Sequence, residues 1–336
     1  MIDASVVVPT HNRLHLLPAT IYSILHQKDV DFQLIIVNDG STDGTERWID
    51  RLAASHPRVT VVNHEKPRGP SAARNAGIAR ATGHWIAFCD DDDLWASDKL
   101  AAQLNALRAS AARWACTSAV LVNENLEIIG HQLVRGGEVL SDLIQRNTIW
   151  SGSSVIADAT LLRDLGGFDP MLNACEDWDL WIRLAQQSPL AAVERPLLAH
   201  RQSSGSLSAN VDQMRLGHSI VVSRYAALAT PHEVEAADMD YERFLAKQLL
   251  RSGSGLKAAA IFARSFLEHR RWRDLPRIAA AAVAPRLTDY IGNRRAAAAV
   301  PPTWKVEVND WLRCFREQGV TAMPELQPAE LLTLAS

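Results

Sequence analysis

The stretch Trp85–Asp93, WIAFCDDDD, runs a short apolar strand straight into four consecutive aspartates. A buried strand that delivers carboxylates to a sheet edge can hold a divalent cation. Side chains two apart in extended chain point the same way, so the sequence predicts that Asp90 and Asp92 share one face. Hard oxygen ligands of this kind suit Mg²⁺ or Mn²⁺ rather than zinc. The plainer reading of four like charges is a solvated loop, so the surroundings of the run decide between the two.

Upstream, apolar runs alternate with segments of helical period, the pattern of an α/β fold with a parallel sheet covered by helices. Strands are predicted at Ser5–Val8, Leu34–Val37, Val59–Val62 and Trp85–Cys89, and the aspartates then fall at a strand's carboxyl end, where open α/β sheets bind ligands. Downstream, Ser97 is placed to cap a helix carrying Leu100, Leu104 and Leu107, and Trp114–Val122 reads as a further strand. Beyond Val211 the composition shifts to helix formers. The predicted organisation is therefore a first domain over 1–210 and a mainly helical extension over 211–336.

Composition narrows the function classes. A hydrophobic fraction of 47% and a charged fraction of 22% exclude a disordered or fibrous chain. A net charge of -3 argues against a nucleic-acid binder. Cys89, Cys116, Cys175 and Cys314 are scattered, without a C-x-x-C pair, and read as reduced thiols of a cytoplasmic protein. The start, MIDASVVVPT, has no signal-peptide pattern, and no stretch is long enough to span a bilayer, so membrane contact is expected only at the periphery.

Four further segments carry chemistry in combination. VVVPTHNR (Val6–Arg13) stops a strand at Pro9 and opens a polar turn. NDGSTDGT (Asn38–Thr45) also follows a strand. Its Asp39, Ser41, Asp43 and Gly44 match the opening of a calcium loop, but a strand precedes it and Asp50 is too short for the closing bidentate Glu. A strand-end carboxylate can also read a nucleoside. RGPSAARNAGIARATG (Arg68–Gly83) puts Arg74 near a helix start, where it can meet a phosphate or be an ordinary surface arginine. GGFDPMLNACEDWDLWIRL (Gly166–Leu184) sets Glu176 and Asp177 before a helix, as dipole partners or as reactive carboxylates.

In the order PTHNR, NDGSTDGT, GPSAARNAGI, FCDDDDLW, GGFD and EDWDLW, these segments resemble the family 2 glycosyltransferases of GT-A fold, from about Ser5 to Asn210. The resemblance implies transfer of a sugar from a nucleotide diphosphate, often UDP, to an acceptor hydroxyl with inversion, in surface-polysaccharide or glycolipid assembly. It implies that Pro9, Thr10, His11, Asn12, Arg13 and Asp39 contact the uridine, with Asp39 reading the base. Arg74, Asp90 and Asp91 would lie on the donor side. Asp90 and Asp92 match the family's D-x-D, Asp92 holding Mn²⁺ or Mg²⁺, although four aspartates leave the ligand ambiguous by one position. Asp177 matches the catalytic base, and Glu176 would orient the acceptor. His200, Arg201 and Ser203–Ser208 fall where the family has a closing segment, Arg201 reaching the diphosphate. His11 and His200 depart from the family, His11 standing where Tyr or Phe is common and His200 where Tyr is usual.

Two alternatives stay open. A sugar-nucleotide nucleotidyltransferase would need a Gly-rich phosphate loop where PTHNR stands, and a non-catalytic nucleotide-sugar or glycan binding module would need no base. The helical extension lies outside the resemblance. Between Arg264 and Arg295 it carries eight arginines against Glu268, Asp274 and Asp289. That basic surface either rests on anionic lipid at the inner face of the membrane, meeting a lipid-linked saccharide acceptor, or packs on the first domain or on a second subunit, which would make a homo-oligomer. The sequence favours packing.

Overall fold

A computed structural model describes residues 2–202, 210–269 and 272–317. The first seven elements alternate as the periodicity predicts: β1 (Ala4–Thr10), α1 (Leu17–Leu25), β2 (Phe32–Asp39), α2 (Thr45–Ser55), β3 (Val59–His64), α3 (Pro70–Arg80) and β4 (Trp85–Phe88). The four strands are parallel in the order β3-β2-β1-β4. Val6, Val7, Val8, Leu34, Ile35 and Ile36 are fully buried, because helices cover both faces of the sheet. Parallel strands release their carboxyl ends on one edge, which brings the turns after Thr10, Asp39 and Phe88 together.

The contact of α3 with β1 is close. A Cβ on Gly77 would sit 2.3 Å from Val7 Cγ1. Gly77→Ala is expected to cost about 1–3 kcal/mol by overpacking, read as a lower urea midpoint with an unchanged slope. An unchanged midpoint would show that α3 moves away freely.

After β4 come β5 (Leu94–Trp95), α4 (Lys99–Arg108), β6 (Trp114–Val122), β7 (Ile128–Gln132), α5 (Leu140–Gln145), β8 (Val155–Asp158), α6 (Ala159–Asp164), α7 (Glu176–Ala185) and β9 (Leu190–Arg201). They extend the sheet to β3-β2-β1-β4-β8-β6-β9-β5, with β7 on β6. The expected parallel sheet is thus corrected to a mixed one, since β8 is antiparallel to both β4 and β6. The reason is its approach: the chain enters β8 from the ligand edge, through a tight turn at Gly152–Ser154, rather than from a covering helix. Ser97 is not the cap of α4. Asp98 occupies that position without a side-chain bond to the helix, and Gln27 does the work, accepting from Leu100 N at 2.9 Å and donating to Ala96 O at 2.8 Å.

The helical part comprises α8 (Val211–Tyr225), α9 (Pro231–Arg251), α10 (Gly255–His269), α11 (Leu275–Val283), α12 (Pro285–Ala298) and α13 (Pro302–Glu317). Two of these helices complete the cores of the sheet. Val308, Leu312 and Phe315 of α13 join Ile21, Tyr22 and Leu104 on one face. Val221 and Tyr225 of α8 join Trp178, Trp181 and Phe168 on the other. Between them, α9, α10 and α11 share a smaller core of Leu245, Leu249, Ile261, Phe262 and Ala281.

Candidate active site

The turns after β1 and β2 are tied together by their own side chains. His11 Nδ1 lies 2.7 Å from Asp39 O. Asn12, at φ +54°, donates its N–H to Ser41 Oγ and accepts from Thr42 N through Oδ1 (2.9 and 2.7 Å). A short polar side chain that bonds locally tolerates this left-handed conformation. Asp43 accepts from Leu14 N with one oxygen, and from Thr45 N and Oγ1 with the other. Burial would raise its pKa, but these bonds hold it below the usual range. Its oxygens are thus given to the chain, which accords with the rejection of a calcium loop.

Asp39 is engaged in the same way. It accepts from His64 Nδ1 (2.7 Å), from Arg68 N with both oxygens (2.9 and 3.0 Å) and from Gly69 N (2.8 Å). A carboxylate offers about four lone-pair sites, so the expected reader of the base is filled by the loop that opens α3. Pro9, His11 and Arg13 remain at the rim with partial or full exposure, and Thr10 is buried below them.

The four aspartates do not continue the strand. β4 ends at Phe88, and Asp93 N bonds back to Asp90 O at 3.2 Å, closing a turn. The two-residue alternation predicted for Asp90 and Asp92 therefore does not apply. Each carboxylate has its own surroundings. Asp93 is fully buried and accepts from Ser151 Oγ (3.1 Å), His200 Nδ1 (3.0 Å) and Arg201 N (2.9 Å). Burial would raise its pKa, yet His200 outweighs it and holds Asp93 below the usual range. In return, against its own burial, His200 is pushed up to about 9. Asp90 donates its N–H to Ser153 Oγ (2.8 Å) and accepts from Arg74 Nη2 (2.7 Å). Asp91 is pushed up to about 6 by burial, with Thr10, Arg13 and the His11 backbone working against it.

Asp92 is the exception. Burial, followed by Asp93, Asp91 and Asp90, pushes its pKa well up, and no donor among the described residues bonds its carboxylate. This is the environment in which a cation replaces a proton, so the residue fits a hard divalent metal. Among the described residues no three acidic, His or Cys side chains form a closed metal cage.

Across the pocket stands α7. Cys175, at φ +59°, turns the chain into it. Glu176 Oε1 accepts from Arg74 Nη1 at 2.8 Å. Asp177 is partly open and is pushed up to about 7, by burial and by Glu176, against Arg74. Arg74 was expected on the donor side of the pocket. In the structure Arg74 is buried and bridges Asp90 to Glu176, joining the two acidic groups.

Sequence reasoning missed what fixes α7. Asp179 is fully buried and accepts from Arg183, Arg224 and Tyr225 (2.9, 2.6 and 2.9 Å). Trp178 Nε1 donates to Leu143 O at 2.6 Å. Gly217 of α8 packs so closely on Ala174 that a Cβ would lie 2.3 Å from its carbonyl oxygen. Arg224 and Tyr225 lie about forty-five residues downstream and left no local signal. Ser151 and Ser153 were marked only by a serine-rich turn ahead of an apolar run.

Arg201, at the end of β9, closes the floor. Its backbone N–H bonds Asp93, while its buried Nε and Nη2 have no hydrogen-bond partner among the described residues. Burial pulls its pKa down against Asp92 and Asp93. An unsatisfied buried guanidinium is costly and suits an anionic ligand. The expected closing loop, Ser203–Ser208, lies outside the described residues.

Residues 5–163 match the family described as Glycosyl transferase family 2. The UDP-Glc:alpha-D-GlcNAc-diphosphoundecaprenol beta-1,3-glucosyltransferase WfgD of Escherichia coli is 27% identical over 208 residues, covering 61% of this chain and 79% of that protein. An uncharacterized glycosyltransferase of Rickettsia felis is 32% identical over 204 residues, 60% of this chain, which spans only 33% of that longer relative. Among solved structures, the mannosyltransferase PcManGT from Pyrobaculum calidifontis in complex with GDP-Man and Mn²⁺ superposes with a TM-score of 0.54 at 21% identity, covering 90% of this chain and 87% of that one. The shared architecture is the GT-A fold.

Proposed function

Since residues 5–163 match the family described as Glycosyl transferase family 2, we propose that the chain moves a sugar from a nucleotide diphosphate, UDP in the first instance, to a hydroxyl of a saccharide or lipid-linked saccharide, with inversion. The assignment to surface-polysaccharide or glycolipid assembly rests on relatives such as WfgD, whose name specifies a UDP-sugar and a lipid-diphosphate acceptor. The observation that carries the reading is the Arg74 bridge. It sets the acidic loop, with Asp92, and the start of α7, with Asp177, on the two sides of one floor.

In this reading Asp92 and Asp90 hold Mn²⁺ or Mg²⁺, which when bound would neutralise the charge that develops on the leaving diphosphate. Arg201 donates from Nε and Nη2 to phosphate oxygens. Pro9 to Arg13 form the nucleoside end, where the His11 ring offers a stacking face. Asp91 borders that end beside Thr10 and Arg13, and Asp39 acts through the chain by fixing Arg68 and Gly69. Asp177 takes the acceptor proton as the hydroxyl attacks from the face opposite the diphosphate, and one displacement gives one inversion. Glu176, paired with Arg74, orients the acceptor and keeps Asp177 basic. The division at 210/211 would then separate the donor and base machinery from the helices that fasten it.

Thermal unfolding with UDP, GDP, CDP and dTDP, each with and without Mn²⁺, tests the donor half. A ligand at about 100 times its dissociation constant adds roughly 2.7 kcal/mol to the folded state. The expected result is a clear upward shift with UDP that needs Mn²⁺. A shift with another base redirects the donor assignment, and no shift with any of them removes the donor site.

A further inference from the structure

The helix α12 buries none of its residues and leaves its large apolar side chains open to water. Its inner side is held by polar contacts: Asp289 is ion-paired with Arg251 of α9 at 3.6 Å and accepts from Asn293 at 3.1 Å. Thr288 donates to Ala284 O at 2.9 Å, and Ala296 lies against Gly130 of β7. Leu287, Tyr290 and Ile291, at helical spacings of three and four and so on one face, are instead 56%, 56% and 42% exposed. Two more exposed apolar residues lie near the start of the helix. Gly255 packs directly on Ala281 O and Pro285, which brings Leu256 and Val283, 76% and 86% exposed, beside it. Single exposed apolar residues are ordinary, but five grouped around one helix mark an interaction face.

The charge on this face has one sign. Lys257, Arg286, Arg294 and Arg295 are exposed around the stripe, and Arg294 lies over the Tyr290 ring at 5.9 Å. Asp289, the only acidic residue between Val283 and Ala298, is turned inward. A second copy on this face would set arginine against arginine. An anionic bilayer instead offers acyl chains to the stripe, a headgroup layer to Tyr290 and phosphates to the cations.

We propose that the Leu256, Val283, Leu287, Tyr290 and Ile291 face docks the protein on an anionic lipid surface. The place in the fold suits a lipid-borne acceptor. Gly130, under α12, pairs with Leu121 of β6, and the next residue, Val122, pairs with Arg201. Docking would thus hold the Arg201 end of the sheet towards the membrane. The surface extends beyond the proposed transfer reaction, and its test reads binding alone, so the two fail separately.

The experiment is flotation of the full chain with vesicles of 30% phosphatidylglycerol in phosphatidylcholine, at moderate salt. The wild type is expected to float with these vesicles and to stay behind with pure phosphatidylcholine or in 0.5 M salt. L287E/I291E is expected to lose at least tenfold in partitioning, and each of Arg286→Gln, Arg294→Gln and Arg295→Gln about fivefold. Val306→Glu, exposed on α13 away from the stripe, should float like the wild type. All these positions face water, so melting temperatures should stay put and serve as the folding control. Absence of wild-type flotation, or equal flotation of L287E/I291E, overturns the proposal. A dimer that L287E/I291E splits, without vesicle binding, overturns it in favour of a second copy.

Discussion

Asp177→Asn is expected to lower sugar transfer by about two to four orders of magnitude, the range for removal of a positioned general base, while the nucleotide-induced thermal shift stays at its wild-type size. The side chain keeps its shape and loses only its proton affinity, so donor binding and transfer should part company. The wild-type pH profile gives an independent check. Asp177 is pushed up to about 7 by burial and by Glu176, and a base works only when ionised. In the wild type, kcat/KM is therefore expected to be level above about pH 7 and to fall tenfold per unit below it. Glu176→Gln should move that acid limb to lower pH, because it removes a neighbouring negative charge. Transfer that survives Asp177→Asn would take the base role away from this residue. A wild type that binds nucleotide but never transfers would favour the binding-module alternative.

Asp92→Asn is expected to cost transfer about a thousandfold, in line with the several kcal/mol that a metal supplies to a leaving diphosphate, and to abolish the Mn²⁺-dependent part of the UDP shift. In the metal-free protein the same change should raise the melting temperature. Asp92 stands among three other carboxylates, and no donor among the described residues bonds it, so the neutral amide relieves repulsion without breaking a bond. Asp93→Asn should do the reverse and lower the melting temperature, since Asp93 accepts from Ser151, His200 and Arg201. Opposite signs at adjacent residues separate a ligand from a structural carboxylate. A melting temperature that falls in both variants would show that Asp92, too, is held by the chain.

Much of the α/β half was legible because its signals are local. Val6 to Val8 and Leu34 to Val37 are continuous apolar runs because parallel strands are buried on both faces, and the turns that follow them carry the polar motifs. The reversal of β8 was not legible. Pairing direction depends on the edge from which the chain enters the sheet, and Val155–Asp158 reads the same in either direction. The same limit applied to Asp39, whose four hydrogen bonds come from residues 25 to 30 positions away.

What the sequence by itself determined was the chemistry available: an acidic run after a strand, a Glu-Asp pair before a helix, an arginine near the start of another helix, and a basic tail of helices. Which groups do what was decided by tertiary structure. Asp92 is left open because Ser151, His200 and Arg201, 58 to 108 residues from Asp93, converge on Asp93 and not on it. Arg74 faces two carboxylates because α7 is pressed to the sheet edge by Arg224, Tyr225 and Gly217. The stripe on α12 points outward because Arg251 draws Asp289 inward. The physical reason is common to all three: local propensity fixes a helix or a strand, but desolvation and charge depend on neighbours in space, and these become neighbours only when the sheet has assembled.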